Sequence, residues 1–413
     1  MTATPRVLML APAFAPDIVG GHPIVLNELA VQLRAHGWVV RTAEGWQSPT
    51  FYSRLSKGQR WPALLKLWLE RVPGGLRRVF SQLALPRAYY ATAAHNLRAA
   101  ERQICAAEYD VLLVHVDATP PGLCALAATL AAQQGRPLAL VSMQGLAQEL
   151  RAVNWGMARR LAHIYLGAAC PPALFQPIRP AQAPQTIFAS ATWQAQAVCA
   201  GFPEERAHTI YFGVPLPPAK PRPAEPGQRI LWVGRLSAEK GLHLLLHALP
   251  ALRRRLPQVT VTAIAAQGSS AYRQLIADLI HRLELSDIVT VHPPVPRAAL
   301  GEAYAAHDAL FFHSIFDEPV ALVLMEAFAA GLPVAASAAA GTQLVRANET
   351  CLTYDPLQPA TVADALHALL TQASLRERLT ANAQRLVRAE FSLEAMGQSY
   401  DALLRTCLMQ SYP

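Results

Sequence analysis

The sequence predicts an α/β protein of two doubly wound domains, and three observations carry that expectation. Short apolar runs alternate with helical patterns, as strands and crossover helices do in a parallel sheet. One segment, 214–227, holds six prolines and interrupts the alternation, which restarts after it. The length of 413 residues suits two or three domains at roughly 150 residues each.

Taken in order, residues 6–11 (Arg-Val-Leu-Met-Leu-Ala) form the first apolar run. A Pro/Gly loop and a helical pattern over 23–36 follow, which is the opening of a βαβ unit. Runs at 111–114 and 138–141 predict further strands, with helical segments between them. Beyond the prolines the pattern gives strand 230–233, helix 242–256, strand 259–265 and helix 271–283. Strands near 288–291 and 309–312 come next, then helix 322–330 and strand 333–336. A last helix covers 393–408. The expected domains are 1–212, a linker at 213–227, a second domain at 228–388, and a C-terminal helical segment at 389–413.

Composition narrows the class. Apolar residues make up 52% and charged residues 15%, which excludes a largely disordered chain. No stretch reads as an apolar helix of ~20 residues: 180–203 carries three prolines, and Gly331, Pro333 and Gly341 break 327–345. The first residues lack a signal-peptide pattern. The six cysteines form no C-x-x-C pair, so reduced thiols in a cytoplasmic setting are expected. Net charge is +8, and its distribution is uneven. Between residues 51 and 90 stand Arg54, Lys57, Arg60, Lys66, Arg71, Arg77, Arg78 and Arg87, against Glu70 alone. Such a patch points to an anionic surface. Within it Trp61, Leu64, Leu65, Trp68, Leu69 and Val72 fall at helical spacing, as in a helix lying on a membrane face. The same stripe would also serve to pack on the domain's own core. No nucleic-acid partner is expected.

Three motifs carry chemistry. Phe14-Ala-Pro-Asp-Ile-Val-Gly20-Gly21-His22 lies between a strand and a helix, where paired glycines let backbone N–H groups approach a phosphate. It lacks the G-x-G-x-x-G spacing of a dinucleotide site, and a plain turn would look the same. Gly234-Arg235-Leu-Ser-Ala-Glu-Lys240-Gly241 follows strand 230–233 and sets two cations five residues apart at a strand's carboxyl end. There they can converge on a diphosphate, Arg by a fork and Lys as a point charge. In Glu318-Pro-Val-Ala-Leu-Val-Leu-Met-Glu326 one carboxylate stands at the helix start. The other lies eight residues on, returning to nearly the same face after ~12 Å of helix.

Together these motifs resemble the retaining glycosyltransferases of family 4, over residues 6 to about 405. The resemblance implies the GT-B fold: two Rossmann-like domains facing across a cleft, with the last helix returning to the first domain. It implies that Gly20 and Gly21 face the donor phosphates and that Arg235 and Lys240, beside Gly234, hold the diphosphate. Glu326 would bind the donor ribose and Glu318 would sit by the donor sugar. Ser314 and the backbone of Ala321, Leu322 and Val323 would complete the donor site. The chain also departs from the pattern. Val320-Ala321 replace the usual Phe-Gly, Gln144 stands where many members have His, and Leu344 where they have Glu. Gln144 can bond a sugar hydroxyl but carries no proton as His does.

The expected activity is transfer of a hexosyl group from a UDP- or GDP-linked sugar to a hydroxyl acceptor, with retention. A lipid-linked or polysaccharide intermediate is one candidate acceptor. Arg235, Lys240 and Glu318 are the expected catalytic residues, and His115 and Gln144 the sugar or acceptor contacts. No cofactor and no metal are expected, because the sequence contains no D-x-D pair. His243 and His247, at i and i+4, lack a third ligand and read as packing or surface residues. The alternatives are a degenerate binding subunit, or a sugar phosphorylase or epimerase on the same scaffold. Peripheral association with the cytoplasmic membrane face through 51–90 completes the expectation.

Overall fold

The computed structural model describes residues 4–11, 21–43, 87–115, 122–142, 183–218, 227–266, 268–315, 321–340 and 342–411. The chain divides into two compact units, Met1–Ile210 with Gly397–Pro413, and Tyr211–Met396.

The first unit holds a six-stranded sheet of β1 (Arg6–Leu10), β2 (Val39–Ala43), β3 (Val111–His115), β4 (Leu138–Ser142), β5 (Gln185–Phe188) and β6 (Ala207–Thr209). Its order is β2-β1-β3-β4-β5-β6, and every pairing is parallel. The helices are α1 (Gly21–Ala35), α2 (Arg87–Ala106), α3 (Leu123–Gln133) and α4 (Ala191–Cys199). All five residues of β3 and of β4 are buried, which is why these strands read as unbroken apolar runs. Edge strand β2 buries only Val40 and Ala43.

The second unit repeats the plan. Its strands are β7 (Arg229–Arg235), β8 (Thr260–Ala266), β9 (Val289–His292), β10 (Ala309–Phe312), β11 (Val334–Ser337) and β12 (Leu352–Tyr354). Their order is β12-β11-β10-β7-β8-β9, again all parallel. Helices α5 (Leu242–Arg255), α6 (Ser270–Arg282), α7 (Arg297–Ala306), α8 (Leu322–Ala329), α9 (Pro359–Thr371) and α10 (Ala373–Glu390) cover it. The strand period of two distributes side chains between the sheet's faces. Ile230, Trp232, Ala309 and Phe311 join the core under α5, α6 and α9. Leu231, Leu310 and Phe312 join the core under α8 and α10.

Each sheet is pinned by the same device. The first residue of its first strand is an arginine held by an aspartate that immediately precedes the neighbouring strand. Asp110 accepts from Arg6 N at 2.9 Å, Nε at 3.1 Å and Nη2 at 3.0 Å. Asp308 accepts from Arg229 N at 3.0 Å, Nε at 2.9 Å and Nη2 at 3.2 Å. In return Asp110 N donates to Arg6 O and Asp308 N to Arg229 O, each at 2.8 Å. The bidentate fork is what arginine offers and lysine does not.

The segment expected as a linker differs in its first residues. Val214 is fully buried, donates to Phe391 O at 2.9 Å and accepts from Leu393 N at 3.3 Å. Residues 211–218 therefore belong to the second unit, because Val214 has an apolar site and a backbone partner there; 219–226 lie outside the described residues. The last helix, α11 (Leu393–Ser411), starts in the second unit and continues into the first. There Asp401 accepts from Trp38 Nε1 at 2.6 Å, and the Arg405 guanidinium lies 5.5 Å over the same indole. Gly397 fits against α1, where a β-carbon would stand 2.9 Å from Gln32 Cβ.

The pinned carboxylates give a stability that depends on pH. Hydrogen bonds from Arg6 hold Asp110 below the usual range. Burial pushes Asp308 up, but its bonds from Arg229 outweigh that and leave it lowered. A lowered carboxyl adds stability in full above its unfolded value of ~4 and loses it as pH falls through the folded value. Replacing Asp308 by Ala should therefore cost ~1–3 kcal/mol at pH 7 in urea titrations, since it leaves Arg229 N–H groups unmatched. The difference from the parent should shrink toward pH 3; a loss that does not change with pH would contradict the ionic account.

Candidate functional site

In an open parallel sheet, ligands bind beyond the carboxyl ends of strands where the strand order reverses. In the second unit that point lies between β7 and β10, and the loops leaving these strands carry the residues singled out by sequence. Strand β7 ends with Gly234 and Arg235. The chain then turns through a short 3-10 segment, Ala238–Lys240, to Gly241, whose φ of 65° lies in the left-handed region that glycine favours. Helix α5 starts at the next residue.

Trp232 folds this loop back onto its strand. The indole is buried in the core, and its Nε1 donates to the Lys240 carbonyl at 2.9 Å. Lys240 is further fixed by its own N–H to Ser237 O at 3.0 Å. A β-carbon at Gly234 would stand 3.6 Å from Lys240 Cβ, so the lysine stem lies over that glycine. The Arg235 guanidinium is exposed and pairs with Glu239 at 3.2 Å.

Two histidines flank the loop, and burial disfavours the charged form of each. Tyr272 Oη accepts the His243 N–H of the first turn of α5 at 3.3 Å, and bonds His243 Nδ1 at 2.8 Å. Burial, and then the charge of His247, lower the His243 imidazole. His313 follows β10, and its ring covers Gly241 so closely that a β-carbon there would come within 2.4 Å. Tyr354 Oη donates to Phe312 O at 3.0 Å and lies 3.1 Å from His313 Nδ1. Its single proton is thus used, and Nδ1 must donate to it, leaving Nε2 as the acceptor. Burial, then the charges of His243 and Lys240, lower His313 to about 4. Ser314, next in sequence, is fully buried. Lys240 thus stands two residues before a 14-residue helix, whose N-terminal dipole favours an anion, and Arg235 lies five residues earlier at the end of β7.

The third motif differs from its expected geometry. Helix α8 starts at Leu322, preceded by Ala321 with φ −86° and ψ 71°. Glu326 therefore lies one turn into the helix, and the eight residues from Glu318 do not form continuous helix; Glu318 itself lies outside the described residues. Leu322 and Val323 open the helix, so their N–H groups stand at its N-terminus. Glu326 accepts at Oε1 from Arg297, with Nε and Nη2 each at 3.1 Å, and at Oε2 from Tyr304 Oη at 3.1 Å. Burial pushes its carboxyl up, while Arg297 and Tyr304 offset part of that rise. Leu344, where the family pattern has Glu, is core: it is 1% exposed and clusters with Val214 and Phe391.

In the first unit the strand order reverses between β1 and β3. Gly21 is the first residue of α1, two residues earlier than the sequence pattern starts the helix, and His115 ends β3 as a buried side chain. Gly20 and Gln144 lie outside the described residues. So does the basic, tryptophan-bearing segment from 51 to 86. Among the described residues no three His, Cys, Asp or Glu side chains gather as metal ligands, and no helix is long and apolar enough to cross a membrane. Sequence reasoning missed His313, Tyr354, Arg297 and Tyr304. The adjacency of His313 to Ser314 was a signal for the first; the others come from distant segments.

Residues 218–386 match the family described as glycosyl transferases group 1. A D-inositol 3-phosphate glycosyltransferase of Frankia alni is 36% identical over 164 residues, covering 38% of this chain and 40% of that protein. Spore coat protein SA of Bacillus subtilis is 29% identical over 228 residues, 49% of this chain and 60% of that one. The matches thus span 40–60% of the length of these two relatives. Among solved structures, HepE of Anabaena in complex with UDP and glucose is similar with a TM-score of 0.63 at 21% identity, over 97% of this chain and 99% of that one. Sucrose-phosphate synthase from Thermosynechococcus elongatus gives 0.63 at 21%, over 98% and 100%. At that identity the likeness speaks for the fold.

Proposed function

From the match of residues 218–386 to the glycosyl transferases group 1 family we propose a retaining transferase that moves a hexosyl group from a nucleoside-diphosphate sugar to a hydroxyl acceptor. The observation that carries the reading is the loop from β7 to α5 at the β7–β10 switch point, which carries Arg235 and Lys240 and is held back on its strand by Trp232. HepE, of the same fold, is described in complex with UDP and glucose, which favours a UDP-linked donor.

As the bond from the anomeric carbon to the donor phosphate breaks, its electron pair leaves with the diphosphate. Negative charge grows on those oxygens, and cations already in place stabilise it without reorganising. Arg235 and Lys240 supply that charge, a role a divalent ion fills in enzymes that bind one. Gly20 and Gly21 approach the phosphates by their backbone. The helix-opening N–H groups of Leu322 and Val323, with Ser314, complete the donor site, and Glu326 accepts a ribose hydroxyl. Glu318 positions the sugar and stabilises positive charge on its ring. His115 and Gln144 contact the sugar or acceptor. The acceptor oxygen bonds the anomeric carbon on the face the diphosphate leaves, and its proton passes to that leaving group.

Lys240→Ala and Glu318→Ala should each lower turnover by ~10²–10³, the usual effect of removing one transition-state charge or donor. Parent turnover should survive EDTA, and the product should keep the donor's anomeric configuration by proton NMR. Activity lost on chelation, an inverted product, or a variant with normal turnover would each refute the corresponding assignment. For segment 51–90 we propose docking on an anionic membrane face, where each cation contributes ~1 kcal/mol. Liposome flotation should require anionic lipid and weaken with salt and with charge reversal at Arg77 and Arg78. Salt-insensitive or absent binding would contradict it.

A further inference from the structure

Helix α7 begins with a cation at the wrong end. Arg297 is its first residue, where the helix dipole disfavours positive charge. Its placement is therefore not explained by the helix that carries it. Seven residues on, Tyr304 returns to the same face two turns away, and both side chains converge on Glu326 of α8. The guanidinium edge grips Oε1 through Nε and Nη2, and the Tyr304 hydroxyl holds Oε2. The two guanidinium contacts fill Oε1, whereas Oε2 keeps a second lone pair beyond its bond from Tyr304.

We propose that Arg297 is a positioning residue for the donor: with the Tyr304 hydroxyl it keeps the Glu326 carboxylate ionised and in one orientation, so that the remaining lone pair of Oε2 accepts a ribose hydroxyl of a nucleoside diphosphate. The proposal rests on the reading of Glu326 as the ribose ligand given above. The chemistry requires the ionised form. Ribose presents hydroxyl donors, and with Oε1 filled by Arg297 a proton on the carboxyl would occupy Oε2, the oxygen left to accept one.

Burial works against ionisation here, since the Glu326 side chain is only 15% exposed. Among the described residues the titratable groups acting on it are Arg297 and Tyr304, both from α7. No group from α10 or β11, which also pack on α8, acts on it. Burial drives the Tyr304 hydroxyl well above its ordinary value, so it stays a donor at every working pH. With Arg297 gone, the carboxyl of Glu326 rises further. Because its folded value is already above the ordinary one, ribose binding is lost as pH falls, and the variant should lose it at a higher pH than the parent.

The test is calorimetric affinity for UDP and GDP, from pH 8 to pH 5.5, using whichever nucleotide the parent binds more tightly. The ratio of Kd in Arg297→Met to parent should grow as pH falls, approaching tenfold per unit below the variant's Glu326 value. It should disappear for the 2′,3′-dideoxy nucleotide, while Arg297→Lys should keep the parent's profile. A purely structural ion pair between α7 and α8 would lower Tm and leave that ratio flat, which would overturn the proposal. Should Arg297→Met fail to fold, Tyr304→Phe removes one hydroxyl and must show the same tilt in smaller measure; a flat ratio there overturns it equally. Glu326→Gln separates the two levels. If it leaves Kd unchanged, or if the parent binds neither nucleotide, the ribose reading fails and takes the proposal with it. If it weakens binding while Arg297→Met shows a flat ratio, only the role of Arg297 fails.

Discussion

The paired fork between Arg229 and Asp308 is the constraint on which the rest of the second unit depends. It ties the first residue of β7 to the residue before β10, two positions 79 apart in sequence. Once their starts are level, the lengths of the two strands determine where each chain emerges. The seven residues of β7 run to Arg235, and the four of β10 stop at Phe312. That difference puts the His313 ring against Gly241, after the β7 loop has turned back. Lys240 thus owes its position to a carboxylate at the opposite end of the sheet, to the Trp232 indole beneath it, and to a glycine that leaves room for an imidazole. The first unit applies the same fork at Arg6 and Asp110, although the two halves share no visible sequence repeat.

The electrostatics of the loop follow from that packing. An anion site gains from cations it can hold ready, but each added buried charge repels the others. Burial favours the neutral ring of both His243 and His313; repulsion from His247 adds to it in the first, and from His243 and Lys240 in the second. The Tyr354 hydroxyl, already donating to Phe312 O, fixes which nitrogen of the His313 ring carries the hydrogen. Positive charge is left to Arg235, Lys240 and the α5 N-terminus. Glu326 shows the opposite case: a mostly buried carboxyl pushed up by burial, with a cation and a hydroxyl from one helix face offsetting part of that rise.

The legible parts of the fold were those whose local pattern has one physical meaning. Ala309–Phe312 is buried throughout, and its bounds agree with the apolar run at 309–312. Gln185–Phe188 and Ala207–Thr209 were not read as strands, because polar Gln185, His208 and Thr209 break the runs that mark a sheet interior. The start of α8 agrees with the apolar pattern at 322–330, but the reading of the Glu318-to-Glu326 motif as continuous helix does not hold. Glu318-Pro319 reads as a capped helix start, yet the helix opens only at Leu322. The chemistry divided in the same way. Arg235 and Lys240 share a loop and could be read from it. Arg297 and Glu326 are 29 residues apart on different helices, and His313 meets Gly241 only through tertiary packing.

The most direct test of the central claim is to titrate the intact chain with UDP and with UMP, in EDTA, beside Lys240→Ala. A site in which α5 and its cations hold a diphosphate should bind UDP at least tenfold more tightly than UMP, roughly 1.4 kcal/mol. That preference should largely vanish in Lys240→Ala while UMP affinity stays near the parent's. Equal affinity of the parent for the two nucleotides, or an undiminished preference in the variant, would contradict the account.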